Sequence, residues 1–185
     1  MKTYFLIILL SISSLVVKAQ VAIGKTSTSS PSASLEFGYT PNDVTKQRGI
    51  ILPWTNASNT LINVVPGTMI FDSSDKKIKY YKGTDDPNSI ATWVDLTING
   101  DGTVDKSLQD NLTESAVAKV SIGEKTNTEG ILVLEDNNKA MVLPMVDKYS
   151  SVVNPTAGMM VYDMANNMIC FFNGTAWTFW KTSNT

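Results

Sequence analysis

The carboxylates that could act as general acids or bases occur in duplicate. Glu36 and Glu135 each follow a leucine, at matching places in two similar stretches. Asp72 and Asp163 each close a run of β-preferring residues, where an aspartate commonly hydrogen-bonds the backbone two residues on. Histidine, the commonest general base, is absent from the sequence. Duplicated carboxylates indicate a need of the fold rather than one active site, so we predict no catalytic residue and no enzymatic activity.

The single cysteine, Cys170, is the only candidate thiol nucleophile. It lies inside the apolar run 168–172, and no histidine is available to activate it. The pattern favours a small buried hydrophobic residue over a reactive thiol.

One polar stretch could bind a hard cation. Residues 99–105 read Asn-Gly-Asp-Gly-Thr-Val-Asp, and oxygen ligands at alternate positions around a glycine turn are typical of calcium loops. The ligands would be Asn99, Asp101, a backbone carbonyl near Thr103, and Asp105. The first aspartate and the last glutamate of such loops are missing, and a solvated Gly/Asp turn explains the same residues. We predict no cofactor and keep calcium as the alternative.

Aromatic side chains are the better candidates for ligand binding, because exposed tryptophans can stack on sugar rings. Trp93 and Trp177 end corresponding predicted strands, which favours a place in the core. Trp54 and Trp180 have no counterpart in the other copy. They are therefore the residues we predict for a carbohydrate-binding site, the alternative to a purely structural function.

These residues are positioned by a stretch that the chain contains twice. The later copy, from Gly158, reads GMMVYDMANNMICFFNGTAW, and the earlier copy, from Gly67, reads GTMIFDSSDKKIKYYKGT. Each predicts strand, turn, strand, tight turn, strand, since Gly and Asn-Gly tolerate the positive φ of tight turns. Shorter matches precede both copies: VAIG at 21–24 with VSIG at 120–123, and RGIILP at 48–53 with KAMVLP at 139–144. Extra residues in the first copy fall in predicted loops, as a structural repeat allows.

The N-terminus has the features of an export signal. A lysine precedes an apolar run that serines interrupt, and Val17-Lys18-Ala19 fits cleavage after Ala19. The run is too short to span a bilayer comfortably. We predict a mainly β chain of two tandem small β-meander or hairpin modules joined by a polar linker, after a cleaved signal peptide. The predicted segments are a signal peptide at 1–19, a β-module at 20–97, a linker at 98–119 and a β-module at 120–185.

The charge balance bears on partners. The chain has 15 basic and 17 acidic residues, and loss of Lys2 and Lys18 with the signal leaves 13 against 17, a net charge of −4. No basic patch is apparent. We therefore predict no nucleic-acid partner. We also predict no membrane span in the mature chain.

The order of motifs resembles a known family. Both copies read V-x-I-G, then L-E, then L-P, then G-x-x-[VI]-[YF]-D, then paired aromatics, Gly and Trp. This order is similar to the tail-fibre-like surface repeats exported by Bacteroidota. The resemblance implies an exported, self-associating, fibre-like protein of structural or adhesive function. It also implies a place in the periplasm, on the cell surface or outside the cell, and a glycan or surface protein as a partner.

The apolar pattern of the second copy bears on assembly. Residues 159–162 and 168–172 do not alternate between apolar and polar, so both faces of these strands need cover. A neighbouring subunit would supply it, and the resemblance implies a trimer. The predicted homo-oligomer interface comprises Met160, Tyr162, Ile169 and Phe171. The competing interpretation is that the two modules of one chain pack on each other. The lysines of the first copy oppose this, and we expect Lys79→Glu to have little effect.

Overall fold

Short β-strands make up the fold, which confirms the prediction of a mainly β chain with a repeated organisation. The computed structural model describes residues 20–83, 92–98, 100–107, 112, 118–123, 127–128 and 130–181. The predicted signal peptide therefore lies outside the described residues. Within the described ranges, no helix is long and apolar enough to cross a membrane.

From here on, a copy means the whole repeat, including the shorter matches that precede the long stretch. The two copies contain the same strands in the same order. The first copy has β1 (Val21–Ile23), β2 (Ala33–Phe37), β3 (Ile50–Ile51), β4 (Trp54–Thr55), β5 (Met69–Asp72), β6 (Lys77–Tyr81) and β7 (Trp93–Asp95). The second copy has β8 (Val120–Gly123), β9 (Leu132–Glu135), β10 (Ala140–Val142), β11 (Met145–Val146), β12 (Met159–Asp163), β13 (Met168–Phe172) and β14 (Trp177–Trp180). Three 3-10 helices, Val44–Lys46, Ser58–Thr60 and Tyr149–Ser151, lie in the connections of this described part.

Each repeated stretch folds as a four-stranded path of the same design. β4 and β11 run parallel to β5 and β12, which continue as antiparallel meanders to β7 and β14. The tight turns contain Gly83 and Gly174 at φ 78° and 100°, a conformation that glycine adopts without strain. Outside these paths, β1 pairs with β2 and β8 with β9, both parallel, and the registers of the two pairs differ by two residues. A two-residue shift keeps the same side chains on the same face.

The two copies exchange strands. β3 of the first copy pairs antiparallel with β12 of the second, and β10 of the second copy pairs parallel with β2 of the first. Gly49, just before β3, permits the close approach, because a Cβ there would lie 2.7 Å from the Met160 carbonyl oxygen. The copies are therefore interlocked through their backbones.

The larger of the two apolar clusters in the described residues lies between the copies. Phe71 and Ile78 of the first copy form one buried cluster with Met160 and Phe171 of the second. All four side chains are at most 4 % exposed. Leu52, Leu96 and Ala157 complete the buried part of this cluster, which we call the shared core. Apolar residues of both meanders thus cover one another within a single chain.

The opposite face differs between the copies. In the second copy, Val146, Val161 and Cys170 are fully buried in a second apolar cluster against the 3-10 helix Tyr149–Ser151. In the first copy, Lys79 stands where the second copy has Cys170, and it is only 9 % exposed. An ion cluster therefore replaces the second apolar cluster there.

The extra loop at 38–47 of the first copy docks on the second copy. Tyr39 donates its hydroxyl hydrogen bond to Asp147, and the backbone N–H of Asn42 donates to the same carboxylate at 2.7 Å. The buried Gln47 side chain accepts from the Asp147 N–H at 2.7 Å. This loop is a further clamp between the copies.

Candidate functional site

The duplicated aspartates support turns, as their positions predict. Asp72 accepts hydrogen bonds from the backbone N–H groups of Ser74, at 2.9 Å, and Ser58, at 2.7 Å. Asp163 accepts from the N–H of Tyr149 at 3.0 Å, and from Asn166. Both carboxylates are almost completely buried. Each one therefore ties its own hairpin turn to the preceding 3-10 helix, and the duplication reflects this shared structural use.

These hydrogen bonds control the protonation of the carboxyls. Burial raises the pKa of Asp72, but the hydrogen bonds from Ser74 and Ser58 outweigh it and hold the pKa well below its ordinary value. Burial likewise raises the pKa of Asp163, and the hydrogen bonds from Tyr149 and Asn166 again leave it lowered. Neither carboxyl is kept protonated near neutral pH, as a general acid would need to be.

Glu36 holds the third buried carboxylate. Lys25 donates to it at 2.5 Å, and the hydroxyl and backbone N–H of Ser29 donate at 2.5 and 2.6 Å. The Lys25 hydrogen bond, followed by those of Ser29, lowers the pKa of Glu36 to about 2. Its counterpart Glu135 is exposed and contacts Thr128 at 3.5 Å. The same sequence position is thus a buried anchor in one copy and a surface residue in the other.

Acid should weaken the fold through these groups. Their folded-state pKa values are lowered, so the stability they contribute is complete above the ordinary carboxyl pKa of about 4. It is lost as the pH falls through the folded-state values, which for Glu36 is about 2. We expect a flat urea midpoint from pH 7 to 5 and a decline below about pH 4. Glu36→Gln should lower the neutral-pH midpoint and shrink the decline, whereas the matched Glu135→Gln should do neither.

The cysteine is buried and unreactive. Cys170 is fully buried, and burial, with the nearby Asp163 charge, raises the pKa of its thiol to about 12. A thiol needs a low pKa to form the nucleophilic thiolate. The placement agrees with the interpretation as a packed hydrophobic residue.

The linker segment at 100–107 runs between turns of the two copies. The Asp101 carbonyl accepts from the Thr175 hydroxyl at 2.7 Å, and Thr103 lies 3.3 Å from the same hydroxyl. The Asp105 carboxylate accepts from the Ser107 N–H at 2.9 Å. Gly102 packs so closely that a Cβ would lie 2.2 Å from the Asn173 carbonyl oxygen. These contacts describe a structural strap across the turns.

The proposed calcium ligands remain a prediction. Asn99 lies outside the described residues. In the part of the chain that the structure describes, no group of three or more histidine, cysteine, aspartate or glutamate side chains could hold a metal ion. Because the backbone carbonyl of Asp101, the hydroxyl of Thr103 and the carboxylate of Asp105 have hydrogen-bond partners in the strap, we expect the same melting temperature in excess calcium and in chelator. A rise of several degrees in calcium would show linkage to a bound ion.

The two unmatched tryptophans have different environments. Trp54 is partly buried against the shared core, and its indole N–H donates to the Ala157 carbonyl at 2.8 Å. Trp180 is 48 % exposed and donates to the Leu96 carbonyl at 2.8 Å. Trp180 and Phe179 line an open pocket of about 420 Å³ together with Lys77 and Asp95. Trp180 is therefore available to a ligand, whereas Trp54 joins the two copies.

The four predicted interface residues lie on the face of the second meander that meets the first copy. Met160 and Phe171 are buried in the shared core, and Tyr162 and Ile169 are half-buried. The first copy covers this face and the second apolar cluster covers the other. Both apolar faces of the second meander are thus covered within one chain, so they do not by themselves indicate a neighbouring subunit at this surface. As interface residues, these four stay a prediction.

Sequence reasoning missed the residues that join the copies. Tyr39, Gln47 and Asp147 lie in loops that one copy has and the other lacks or varies, so no repeated pattern marks them. A different signal lies at 131–134, in β9, where the apolar run Ile-Leu-Val-Leu does not alternate, as is typical of a strand that needs cover on both faces.

The second copy matches one protein family. Residues 121–185, about a third of the chain, match the family described as the phage tail like trimerisation region. No curated protein and no solved structure matches the chain. The match supports the tail-fibre-like resemblance at this coarse level. The narrower resemblance to surface repeats of Bacteroidota stays a prediction.

Proposed function

We propose that this chain is a non-enzymatic, fibre-like structural protein that is exported and assembles into a homo-oligomer, with three chains as the expected number. The observation that carries the proposal is the match of the second copy to a phage tail like trimerisation region. The interlocked β-strands and buried structural carboxylates agree with it. An adhesive role on the cell surface or in the periplasm is part of the proposal.

The test is the mass of the purified protein in solution, by light scattering at micromolar concentration. A mass of three chains supports the proposal, and a folded monomer contradicts it. The expected number comes from the family description.

A carbohydrate-binding function is the second candidate, and the pocket beside Trp180 favours it. An exposed indole next to Phe179, with Asp95 and Lys77 nearby, offers a stacking surface and polar groups for hydroxyls. Trp180→Ala should abolish binding on a glycan array. Trp54→Ala is the comparison, because Trp54 serves the fold and its loss should lower stability without a specific loss of glycans.

Export predicts a defined N-terminus. The Val17-Lys18-Ala19 boundary implies cleavage after Ala19 and a mature protein that begins at Gln20. The expected intact mass of protein recovered from the cell envelope is that of residues 20–185, with or without pyroglutamate at Gln20. A mass that retains the first nineteen residues would contradict this processing.

A further inference from the structure

Equivalent strands of the two copies differ in exposure. From Ala33 to Glu36, every residue of β2 is at most 2 % exposed. In β9, the corresponding strand, Leu132 is 45 % exposed, and Ile131 just before it is 52 % exposed. β9 is the more apolar of the two strands, since it reads Leu-Val-Leu-Glu where β2 reads Ala-Ser-Leu-Glu, so composition does not explain its greater exposure.

The two strands differ in the number of strands that pair with them. β2 lies between β1 and β10, whereas β9 pairs with β8 alone among the described strands. The Val120 N–H donates to the Ile131 carbonyl at 2.8 Å, which directs the Ile131 backbone toward β8. Because backbone groups alternate along a strand, those of Leu132 and Leu134 point to the opposite, open edge. β9 therefore offers an unfilled place for a strand like β10.

Among the described strands one other, β3, is of that kind, and no described strand pairs with its outer edge. β3 and β10 occupy corresponding places in the repeat, RGIILP and KAMVLP. β10 uses the N–H of Ala140, which donates to the Ser32 carbonyl at 2.7 Å, to join β2. At β3, the backbone groups that correspond by the repeat to those with which β10 joins β2 are the groups of Gly49 and Ile51.

β3 does not use these groups to pair with β12. The Leu52 N–H donates to the Gly158 carbonyl at 3.0 Å, so alternation directs Ile50 and Leu52 toward β12. Gly49 and Ile51 consequently point to the other edge, where no described strand lies. The Ile51 side chain is 48 % exposed. The edge of β3 is thus the complement of the open edge of β9, but the two edges do not meet within one chain.

A second patch of the first copy shows the same asymmetry. Ala157 and Gly158 are buried beneath Trp54, whereas the corresponding Pro66 and Gly67 are exposed. In the repeat, the residue corresponding to Trp54 is Met145, in the second copy. The first copy thus exposes Pro66, Gly67 and the outer edge of β3, whose counterparts in the second copy are covered. The second copy exposes the edge of β9, whose counterpart on β2 is covered by β10.

We propose that a second copy of this chain adds head to tail, inserting its β3 along the open edge of β9 as β10 lies along β2. The inference rests on the proposed self-association and names its surface. The β2–β10 register places Ile50 beside Leu134, and Ile51 beside Glu135 of the neighbour. Gly49 allows β3 to approach β12 closely, and its counterpart in β10 is Ala140. We therefore limit the proposed pairing between chains to β9 with β3. A head-to-tail contact of this kind closes into a ring when its rotation permits, as a trimer requires.

Two edge variants test this geometry. Ile51→Pro removes one N–H that points to the open edge of β3, and Leu132→Pro does the same for β9. Ile51→Lys and Leu132→Lys are the second pair, since both side chains are about half exposed and lysine blunts edge strands. Met164→Lys, at a 40 % exposed turn residue, is the matched control. Circular dichroism selects the pair that folds, and light scattering gives the mass.

The expected result is asymmetric. Each edge variant alone should fall to the mass of one chain, and the control should keep the mass of the unmodified protein. An equimolar mixture of a β3 variant with a β9 variant should form a 1:1 dimer, because each contributes the edge that the other has lost. Oligomers of unchanged mass in the folded variants, or a mixture that stays monomeric, would overturn the head-to-tail pairing. A monomeric unmodified protein would instead overturn the proposed self-association itself.

Discussion

Truncation of Phe71 to alanine should lower the free energy of unfolding by about 3–5 kcal/mol. Phe71 is fully buried in the shared core with Met160 and Phe171 of the other copy. It lies against the backbone of Gly158, since a Cβ at that glycine would be 3.2 Å from the Phe71 Cβ. The variant would lose the transfer energy of the ring and leave a cavity where both meanders meet. The loss is a large share of the 5–15 kcal/mol typical of a domain.

Urea unfolding at fixed protein concentration measures this effect, because the stability of an oligomer depends on concentration. Tyr162→Ala is the matched control: Tyr162 occupies the corresponding place in the second copy but is half-buried. We expect its loss to be clearly smaller. Equal losses at the two positions would contradict a core in which the first copy supplies the central aromatic side chain.

Lys79→Glu should lower the free energy of unfolding by about 3–5 kcal/mol, as removal of one partner from a buried ion pair does. Lys79 is 9 % exposed and forms ion pairs with Asp75, with Asp72 at 3.5 Å and with Asp95 at 3.8 Å. The new carboxylate would face three others, of which Asp95 keeps its ion pair with Lys77 at 2.6 Å. The expectation from sequence, that this substitution does little, took Lys79 for a surface lysine, whereas the structure buries it.

Lys76→Glu is the control for Lys79→Glu. Lys76 is exposed in the turn between β5 and β6, and reversing its charge changes the net charge by the same amount. We expect a change within about 0.5 kcal/mol, as for most surface substitutions. Similar losses for the two variants in urea unfolding would mean that net charge, rather than the buried ion cluster, governs the effect.

The local elements were predictable because their signals are local. Asp72 and Asp163 stand at turn starts, and the structure shows both as acceptors for turn N–H groups. Gly174 follows an asparagine whose side chain accepts from the N–H groups of Thr175 and Ala176, as a tight turn requires. The repeat doubled these signals and made the order of strands readable.

The interlocking of the copies was not predictable from the same patterns. Strand exchange through β3 and β10 depends on which edge of a two- or three-residue strand meets which neighbour, and short strands carry little register information. The apolar faces of β12 and β13 correctly indicated two covered surfaces. The first copy covers one of these surfaces, which the lysines of β6 did not suggest, because Phe71 and Ile78 present an apolar face there.

The mass of the purified protein in solution is the most direct test of the central claim, that this chain is a self-associating fibre-like structural protein. Light scattering at micromolar concentration should give three times the mass of one chain, because the second copy matches a phage tail like trimerisation region. A well-folded protein with the mass of a single chain would contradict the account.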